Sequence, residues 1–520
     1  MNILFAASEA APFAKTGGLA DVCSALPIAL SEQGHNVSVI MPAYSGIENV
    51  GVPIESTGKT LTIPIADRIV YGELLKSHFP NTNVPVYFVR HDLYYHREGL
   101  YNSRGVDYQD NCERFVFFCR SVLETIRLLN LEVDILHAND WQTGLIPAYL
   151  QTMYKSSSKF QDLSDPFAGF GMLEDYDVRN TKDAPLYDRI KSVFTIHNLR
   201  HQGRFWQWDM NLTGLDWKYF TYDKMEFYDQ LNLLKTGITF SDVLTTVSPR
   251  YAEEIQTEGF GERLQGVLRY RREVLHGILN GIDTHEWDPA NDPALSDPYV
   301  CFDQNSVFEN KPKCKKALQQ EWGLPERPEV PLLGIVSRFD PQKGLDLITQ
   351  LAGIWVQRFG VQFVVLGTGD SWLEGRFHEL ASWYPENIAV RLAFSNSMSH
   401  RVEAGADLFL MPSRYEPCGL NQMYSQRYGT LPLVRLTGGL ADTVINGSDE
   451  NIQRGIANGF CFHAATTDDL NKAFEWAIHC FYDRKDDWKK MMGIAMAQDW
   501  SWSRSAKKYA DLYQDLLQKK

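Results

Sequence analysis

The sequence predicts an α/β protein made of two Rossmann-like, doubly wound halves. The hexapeptide Thr-Gly-Gly-Leu-Ala-Asp occurs twice, at Thr16–Asp21 and at Thr437–Asp442. The two copies are too far apart for a stacked repeat array, whose periods are about 20–50 residues. In both halves, short apolar runs rich in β-branched residues alternate with helical segments, as in parallel sheets covered on both faces. The chain is therefore expected to contain two globular halves, each with one glycine turn before a helix.

The first half opens with a βαβ pattern. A strand is predicted at Ile3–Ala7, a helix at Leu19–Gln33 that ends at Gly34, and a second strand at Val37–Met41. Further predicted elements are strands at Val84–Val89, Ile135–Ala138, Val193–Ile196 and Val243–Val247 and a helix at Asn111–Leu129. Residues 155–189 show no clean period, and this stretch is interpreted as a surface insertion with no assigned role.

The second half repeats the alternation. Its predicted strands are Leu332–Val336, Phe363–Leu366, Ile388–Leu392, Leu408–Met411 and Leu431–Val434. Residues 503–520 carry apolar side chains at helical spacing and are expected to form a terminal amphipathic helix. We therefore predict an N-terminal domain at 1–278, a C-terminal domain at 279–499, and a helix at 500–520 that packs back on the N-terminal domain.

Composition narrows the class of protein. The chain has 520 residues, 44% of them hydrophobic, and a net charge of −14 without a Lys/Arg-rich run, which argues against nucleic acid as a partner. No apolar run approaches the roughly 18 residues of a membrane span, and the N-terminus lacks the pattern of a signal peptide. The eight cysteines form no C-x-x-C pair, which favours reduced thiols over zinc or disulfides. We expect a cytoplasmic protein; the oligomeric state stays open.

The glycine turns indicate a phosphate ligand. A glycine turn lets a ligand approach the backbone, and the helix start behind it offers unpaired N–H groups and a partial positive charge. Two such turns facing one cleft would hold a phosphorylated sugar from both sides.

Eight segments in order along the chain resemble the bacterial glycogen synthases, a family shared with the plant starch synthases. They are Lys15–Asp21, His137–Trp141, Thr195–Leu199, Ile278–Asp283 with Trp287–Pro289, Val336–Gly344, Leu366–Asp370, Pro412–Leu420 and Thr437–Thr443. One departure is clear, because the family motif usually reads His-Asp-Trp-His, whereas here Asn139 precedes Asp140 and Gln142 follows Trp141. We expect that departure to concern the acceptor side and to leave the donor site intact.

The resemblance implies the architecture called GT-B, with the site in a deep cleft between the two domains. It also implies transfer of glucose from ADP-glucose to the non-reducing end of an α-1,4-glucan such as glycogen, with retention of configuration. No metal and no other cofactor is expected.

Five residues are the candidate catalytic set. The leaving diphosphate gathers negative charge, which cations stabilise, and the resemblance places Arg338 and Lys343 on it. Glu416 follows a buried strand and is expected to contact the sugar rather than to act as a nucleophile. His197 and Asp21 complete the set, although a helix cap would also explain Asp21.

Other residues are assigned to the donor or, less directly, to the acceptor. The donor-binding candidates are Lys15, Gly17, Gly18, Asn198, Gly367, Gly369, Cys418, Gly419, Leu420, Thr437, Gly438, Gly439 and Thr443. Tyr95 and Asp140 are assigned to the acceptor side. The aromatic stretch Phe205–Phe227 either lines the glucan path or belongs to the core.

The sequence disfavours three other functions. A dinucleotide-dependent oxidoreductase would carry G-x-G-x-x-G after the first strand, which this chain lacks. A non-catalytic relative would be expected to lose Arg338, Lys343 or Glu416, and all three are present. An α-glucan phosphorylase shares the architecture but needs a cofactor-bearing lysine, for which the sequence has no motif.

Overall fold

The computed structural model of the protein describes residues 1–103, 105–156, 183–296 and 298–519. The chain divides into two compact units. Unit 1 contains Met1–Val247, Ala252–Asn280 and Trp502–Lys520, and unit 2 contains Ser248–Tyr251 and Gly281–Ser501. Most of the predicted surface insertion at 155–189 lies outside the described residues.

The strands are numbered in chain order. They are β1 Asn2–Ala6, β2 Asn36–Pro42, β3 Glu55–Ile65, β4 Arg68–His78, β5 Pro85–Arg90, β6 Asn102–Ser103, β7 Val106–Asp107, β8 Ile135–Asn139, β9 Lys191–Ile196, β10 Arg204–Trp206, β11 Glu226–Phe227, β12 Gln230–Asn232, β13 Val243–Thr246, β14 Leu275–Gly277, β15 Leu332–Val336, β16 Gln362–Leu366, β17 Ile388–Arg391, β18 Leu408–Met411, β19 Leu431–Arg435 and β20 Phe460–Phe462.

The helices follow the same numbering. They are α1 Gly18–Glu32, α2 Asp92–Tyr95, α3 Asn111–Leu128, α4 Leu145–Tyr149, α5 Ala184–Asp188, α6 Met210–Thr213, α7 Leu233–Phe240, α8 Pro249–Glu254, α9 Gln265–Tyr270, α10 Val307–Glu321, α11 Leu345–Phe359, α12 Ser371–Trp383, α13 Asn396–Gly405, α14 Asn421–Arg427, α15 Gly438–Thr443, α16 Asp449–Gln453, α17 Thr467–Asp483, α18 Lys485–Met496 and α19 Trp502–Gln518.

Unit 1 is built on a nine-stranded sheet in the order β14-β13-β9-β8-β1-β2-β5-β4-β3. The seven strands from β14 to β5 are parallel, and β1 pairs with β2 on one side and with β8 on the other. Residues 3–6 of β1 are almost completely buried, as expected for a strand covered on both faces. The six strands predicted in this half are confirmed, with ends shifted by one or two residues.

The antiparallel hairpin β3–β4 at the edge of this sheet was not predicted. Only Leu61, Ile63 and Ile65 of β3 alternate inward, and the start of the strand is polar and mostly exposed. Such a strand is stabilised by its pairing with β4, which a search for short apolar runs does not detect.

Unit 2 contains a six-stranded parallel sheet in the order β17-β16-β15-β18-β19-β20. The strand order reverses at β15, and the crevice for a ligand in such sheets lies outside the carboxyl ends of the strands at that point. All five strands predicted in this half are confirmed, whereas the three-residue β20 was not predicted. A doubly wound α/β sheet is thus present in each unit.

The C-terminal helix α19 is confirmed and belongs to unit 1. Its apolar stripe buries Tyr509 and Tyr513, and the Tyr513 hydroxyl lies 2.7 Å from Nδ1 of the buried His137 in β8. Burial lowers the pKa of His137 to about 3, so this imidazole is neutral and needs a hydrogen-bond partner. The last helix therefore satisfies a polar group at the centre of the sheet of unit 1. Within the described residues, no helix combines the length and apolarity that a membrane crossing requires.

Replacing Tyr513 with Phe is expected to destabilise unit 1. The substitution leaves Nδ1 of His137 buried without a partner, which costs about 1–3 kcal/mol. The measurement is the midpoint of unit 1 unfolding in urea. The matched control is Tyr270→Phe, because that side chain also belongs to unit 1 and is 86% exposed. Equal midpoints for both variants would contradict this role of Tyr513.

Candidate active site

The first glycine turn is held by a buried glutamate. Glu9 follows β1, is 3% exposed, and accepts hydrogen bonds from the Thr16 amide at 2.5 Å, the Thr16 hydroxyl at 2.7 Å and the Tyr101 hydroxyl at 2.6 Å. These contacts fix the backbone immediately before Gly17. Glu9 is not among the site residues predicted from the sequence. A charged residue at the end of a fully buried strand was the signal available, because such a group must find partners.

The glycines of this turn face open space. A side-chain carbon built on Gly17 or Gly18 meets no atom within 4 Å, and α1 begins at Gly18 without a side-chain cap. The Lys15 ammonium lies 2.6 Å from the Asp21 carboxylate, and both side chains are partly exposed. The turn thus offers an accessible helix start with a cation beside it, an arrangement that suits an anionic ligand. The donor-binding and catalytic roles of these residues stay predictions.

His197, at the end of β9, is oriented by Asn139. The Asn139 amide nitrogen donates to the carbonyls of Ala6 at 3.2 Å and His137 at 3.3 Å, so its oxygen faces His197 Nε2 at 2.9 Å. Burial lowers the pKa of His197 to about 3, which makes the imidazole neutral. Nε2 therefore carries the proton and donates to Asn139, and Nδ1 is left as an acceptor. Asn139, noted in the sequence only as a departure from the family motif, sets the tautomer of the histidine.

Asp140 holds the loop that carries His197 and Asn198. It adopts φ +58°, an uncommon conformation for a residue other than glycine, and its carboxylate accepts the His197 amide at 2.8 Å and the Asn198 amide. Burial raises its pKa to about 7. Its carboxylate is thus directed at the backbone of the His197 loop, and the assignment of Asp140 to the acceptor side stays a prediction.

The structure corrects the assignment of Tyr95 to the acceptor side. Its side chain is fully buried, its hydroxyl donates to the Arg114 carbonyl at 2.8 Å, and its ring packs edge-on against Tyr44. No face of the ring is accessible to a sugar, so Tyr95 is a core residue of unit 1.

In unit 2, the buried Glu416 forms an ion pair with the partly exposed Lys343. Lys343 Nζ lies 2.7 Å from Glu416 Oε2, and the Ser413 hydroxyl donates to the same oxygen at 2.9 Å. Glu416 is only 5% exposed, so its charge requires a partner. The pair joins the loop after β15 to the loop after β18 at the carboxyl edge of the sheet.

The loop after β15 places both predicted cations. Asp340 caps the short turn Pro341–Lys343, and a side-chain carbon on the following residue, Gly344, would lie 2.1 Å from the Pro412 carbonyl oxygen. This close approach keeps Lys343 beside the Pro412–Glu416 loop. The Arg338 side chain is exposed, and within the described residues it makes no ion pair. The two cations therefore differ: Lys343 is held in place, whereas Arg338 projects into solvent.

The glycines after β16 serve the packing of two loops. A side-chain carbon on Gly367 would lie 1.9 Å from the Ser337 carbonyl oxygen, and one on Gly369 would lie 2.4 Å from that of Phe339. The Phe339 amide donates to the Thr368 carbonyl at 2.9 Å, and the Asp370 amide donates to the Phe339 carbonyl at 2.7 Å. Both glycines are thus explained by contact with the Arg338 loop, and their role at the nucleotide stays a prediction.

The second glycine turn packs tightly against the Glu416–Cys418 backbone, whereas the first turn faces open space. A side-chain carbon on Gly438 would lie 1.8 Å from the Glu416 carbonyl oxygen, and one on Gly439 would lie 2.1 Å from that of Cys418. The Gly439 amide already donates to the carbonyls of Glu416 and Pro417, each at 3.2 Å. This amide therefore holds the Glu416 loop, and the expectation that the second turn meets the diphosphate stays a prediction.

The remaining predicted donor residues surround this turn. Thr437 and Thr443 are buried, and the Thr443 hydroxyl donates to the Gly439 carbonyl at 2.7 Å. Cys418 is also buried, Gly419 has φ +71°, and Leu420 immediately precedes α14. Their proposed contacts with the donor stay predictions. No group of three or more His, Cys, Asp or Glu in the described ranges is placed to hold a metal ion.

Comparison with known proteins covers the whole chain. The family described as "Starch synthase catalytic domain" matches residues 2–164 and 176–270, and the family "Glycosyl transferases group 1" matches 316–491. The "Glycogen synthase" of Rhodopirellula baltica is 41% identical over 99% of this chain and 97% of its own, and that of Pseudothermotoga lettingae is 43% identical over the full length of both chains.

The chain belongs to the glycogen synthase family. It is similar to the solved catalytic domain of Starch Synthase IV from Arabidopsis thaliana bound to ADP and acarbose, with 30% identity, a TM-score of 0.85 and 99% of each chain covered. A sucrose-phosphate synthase from Thermosynechococcus elongatus, at 15% identity and a TM-score of 0.54 over 99% of this chain and 98% of its own, shares the fold. This member of the glycogen synthase family is therefore a glycosyltransferase of the GT-B class, as the sequence predicted.

Replacing Asn139 with Asp is expected to give this glycosyltransferase a new acid limb in its pH–rate profile. A carboxylate beside Nε2 favours imidazolium and raises the pKa of His197 from about 3. Activity then falls as the pH drops through the raised pKa, because protonation removes the acceptor at Nδ1. The measurement is kcat/KM between pH 5 and 8 for the parent and the variant.

Asn139→Ala is the matched control. It removes the contact with His197 without adding a charge, so its rate should fall without a new acid limb. Asp140, whose own pKa is about 7, is common to all three proteins, and the difference between their profiles therefore reports on His197. Identical acid limbs in the parent and Asn139→Asp would contradict the tautomer assignment.

Proposed function

We propose that the protein transfers glucose from ADP-glucose to the non-reducing end of an α-1,4-glucan with retention of configuration. The observation that carries this proposal is the Lys343–Glu416 pair with Arg338 nearby in sequence, at the carboxyl edge of a doubly wound sheet. Full-length similarity to glycogen synthases, and to a starch synthase domain solved with ADP, supports the same donor and acceptor.

The chemical step breaks the bond between C1 of glucose and the terminal phosphate oxygen. Negative charge develops on the departing ADP and positive charge on the sugar ring. The oxygen of the acceptor hydroxyl forms the new bond to C1, and its proton passes to the departing phosphate on the same face, which retains the configuration. Lys343 and Arg338 stabilise the phosphate charge, Lys343 as a point charge and Arg338 through its forked guanidinium.

Glu416 is proposed to bind the glucosyl unit without attacking it. Its Oε2 is occupied by Lys343 and Ser413, so the carboxylate is neutralised on one side. The other oxygen, Oε1, is available to accept from sugar hydroxyls. This arrangement suits a positioning contact better than a nucleophile, which would need a free carboxylate directed at C1.

His197 is proposed to accept a hydrogen bond from a hydroxyl of the glucosyl unit through Nδ1. The neutral imidazole with its proton on Nε2 favours this role over proton donation from Nδ1. The same chemistry needs no redox group, and we propose that neither a metal ion nor another cofactor takes part. The cytoplasm is the proposed compartment, since all eight cysteines are free thiols.

Purified protein is expected to incorporate glucose from ADP-glucose into glycogen faster than from UDP-glucose. The measurement is the incorporation of radiolabelled glucose into precipitated glycogen, with and without EDTA. For ADP-glucose, the proposal expects equal rates with and without EDTA, because the two cations supply the charge that a metal would supply. Incorporation from neither donor would contradict the proposed reaction, and loss of activity in EDTA would contradict the metal-free mechanism.

Arg338→Ala is expected to lower kcat/KM for the donor by well over tenfold. Losing one contact that stabilises developing charge costs about 2–4 kcal/mol. Arg338 is exposed, so the thermal unfolding midpoint should not change. The control is Arg272→Ala, which removes an exposed arginine whose ion pair, among the residues that the structure describes, is with Glu273. A donor kcat/KM within twofold of the parent in Arg338→Ala would contradict the role of Arg338.

A further inference from the structure

An exposed row of aromatic rings lies on unit 1, within the stretch Phe205–Phe227 that the sequence assigns either to the glucan path or to the core. Trp206, Trp208 and Trp217 are 66%, 50% and 40% exposed. Neighbouring rings meet edge to face, with centroids 6.3 Å apart for Trp206–Trp208 and 5.3 Å apart for both Trp208–Trp217 and Trp217–Phe220. We call these four residues the aromatic ridge. Rings this exposed contribute little to a core, so the ridge is a surface available to a partner.

The ridge is continuous with the His197 loop through β10. Alternate residues of this strand point to opposite sides. Phe205 therefore packs on Trp141, with ring centroids 5.7 Å apart, whereas the adjacent Trp206 is exposed. Trp141 directly follows Asp140, and a side-chain carbon on Gly203 would lie 2.3 Å from the Trp141 ring. The ridge is therefore attached to the same motif that positions His197.

The support beneath the ridge is rigid. The buried Lys235 donates its ammonium group to the carbonyls of Tyr222 and Glu226, which fixes the segment that follows Phe220. Burial lowers the pKa of Lys235. The Trp217 indole nitrogen donates to Asn211 at 3.0 Å, which orients that ring. A surface already ordered in this way loses little conformational entropy when it binds a ligand.

The surrounding charges favour a neutral ligand. Lys218 lies 3.6 Å from Asp216, and Lys224 lies 3.1 Å from Asp223, so both lysines beside the ridge are paired, whereas Arg204 of β10 is exposed. A polyanion would require a basic face of several unpaired cations. A glucan chain is uncharged and presents apolar C–H faces that stack on aromatic rings, while its hydroxyls stay in water.

We propose that the aromatic ridge binds an α-glucan chain and anchors the polymeric acceptor on unit 1. This inference rests on the proposed function for its ligand and adds a second contact, remote from the reacting end of the chain. A long glucan engages the ridge and the reacting site together, which raises its apparent affinity over that of a short oligosaccharide.

The test compares the double variant Trp206→Ala/Trp208→Ala with the parent. In native gels that contain glycogen, the parent should be retarded and the double variant should lose most of that retardation. The ratio of KM for glycogen to KM for a short maltooligosaccharide should rise about tenfold. Trp206→Tyr/Trp208→Tyr keeps aromatic faces and should restore most of the binding, which controls for a folding defect.

Trp383→Ala is the matched control, since it removes a tryptophan that is 60% exposed on unit 2. The inference is overturned if the double variant is retarded by glycogen like the parent, or if Trp383→Ala loses retardation to the same extent. It is also overturned if the double variant differs from the parent only in self-association, measured in gels without glycogen. Gel retardation is independent of turnover, so it tests the ridge even if the parent transfers glucose to no glucan, the result that would overturn the proposed function.

Discussion

Three carboxylates buried just beyond the ends of parallel strands, two in unit 1 and one in unit 2, organise the loops that carry the candidate site residues of each unit. Glu9 follows β1, Asp140 follows β8 and Glu416 lies in the loop after β18, and none is more than 7% exposed. A buried carboxylate must be paired, since leaving it unpaired costs about 3–5 kcal/mol. The partners are the Thr16 turn for Glu9, the amides of His197 and Asn198 for Asp140, and Lys343 with Ser413 for Glu416. The need to satisfy these charges thus also fixes the loops that carry the site residues.

The two identical hexapeptides show how the same sequence serves different purposes. Gly17 and Gly18 face open space at the start of the long helix α1, where a ligand can approach the backbone. Gly438 and Gly439 instead allow α15 to lie against the Glu416–Cys418 backbone, where any side chain would collide with a carbonyl oxygen. The first copy leaves room for a ligand, whereas the second keeps Glu416 in place. This difference depends on tertiary packing.

Periodicity predicted most parallel strands, because they are short apolar runs that are buried on both faces, and it missed the three-residue strands β14 and β20. It missed the hairpin β3–β4, whose stability comes from pairing at the sheet edge. At the site, the family motifs singled out Lys343, Glu416 and His197. The acceptor-side assignment of Tyr95 was wrong, because the sequence does not show that its ring is buried in the core. The role of Asp140 stays a prediction. Glu9 and Asn139 were not assigned, since Glu9 acts on a residue 7 positions away in the chain and Asn139 on one 58 positions away. Such roles are visible only when hydrogen-bond partners are known.

The central claim is that Glu416 holds Lys343 at the carboxyl edge of the unit 2 sheet, where Lys343 and Arg338 receive the diphosphate. A crystal structure of the protein with ADP tests it most directly. The account predicts terminal phosphate oxygens within about 2.7–3.2 Å of Lys343 Nζ and of the Arg338 guanidinium, with Glu416 still beside Lys343. ADP bound elsewhere on unit 2, with both cations more than a hydrogen-bond length from every phosphate oxygen, would contradict it.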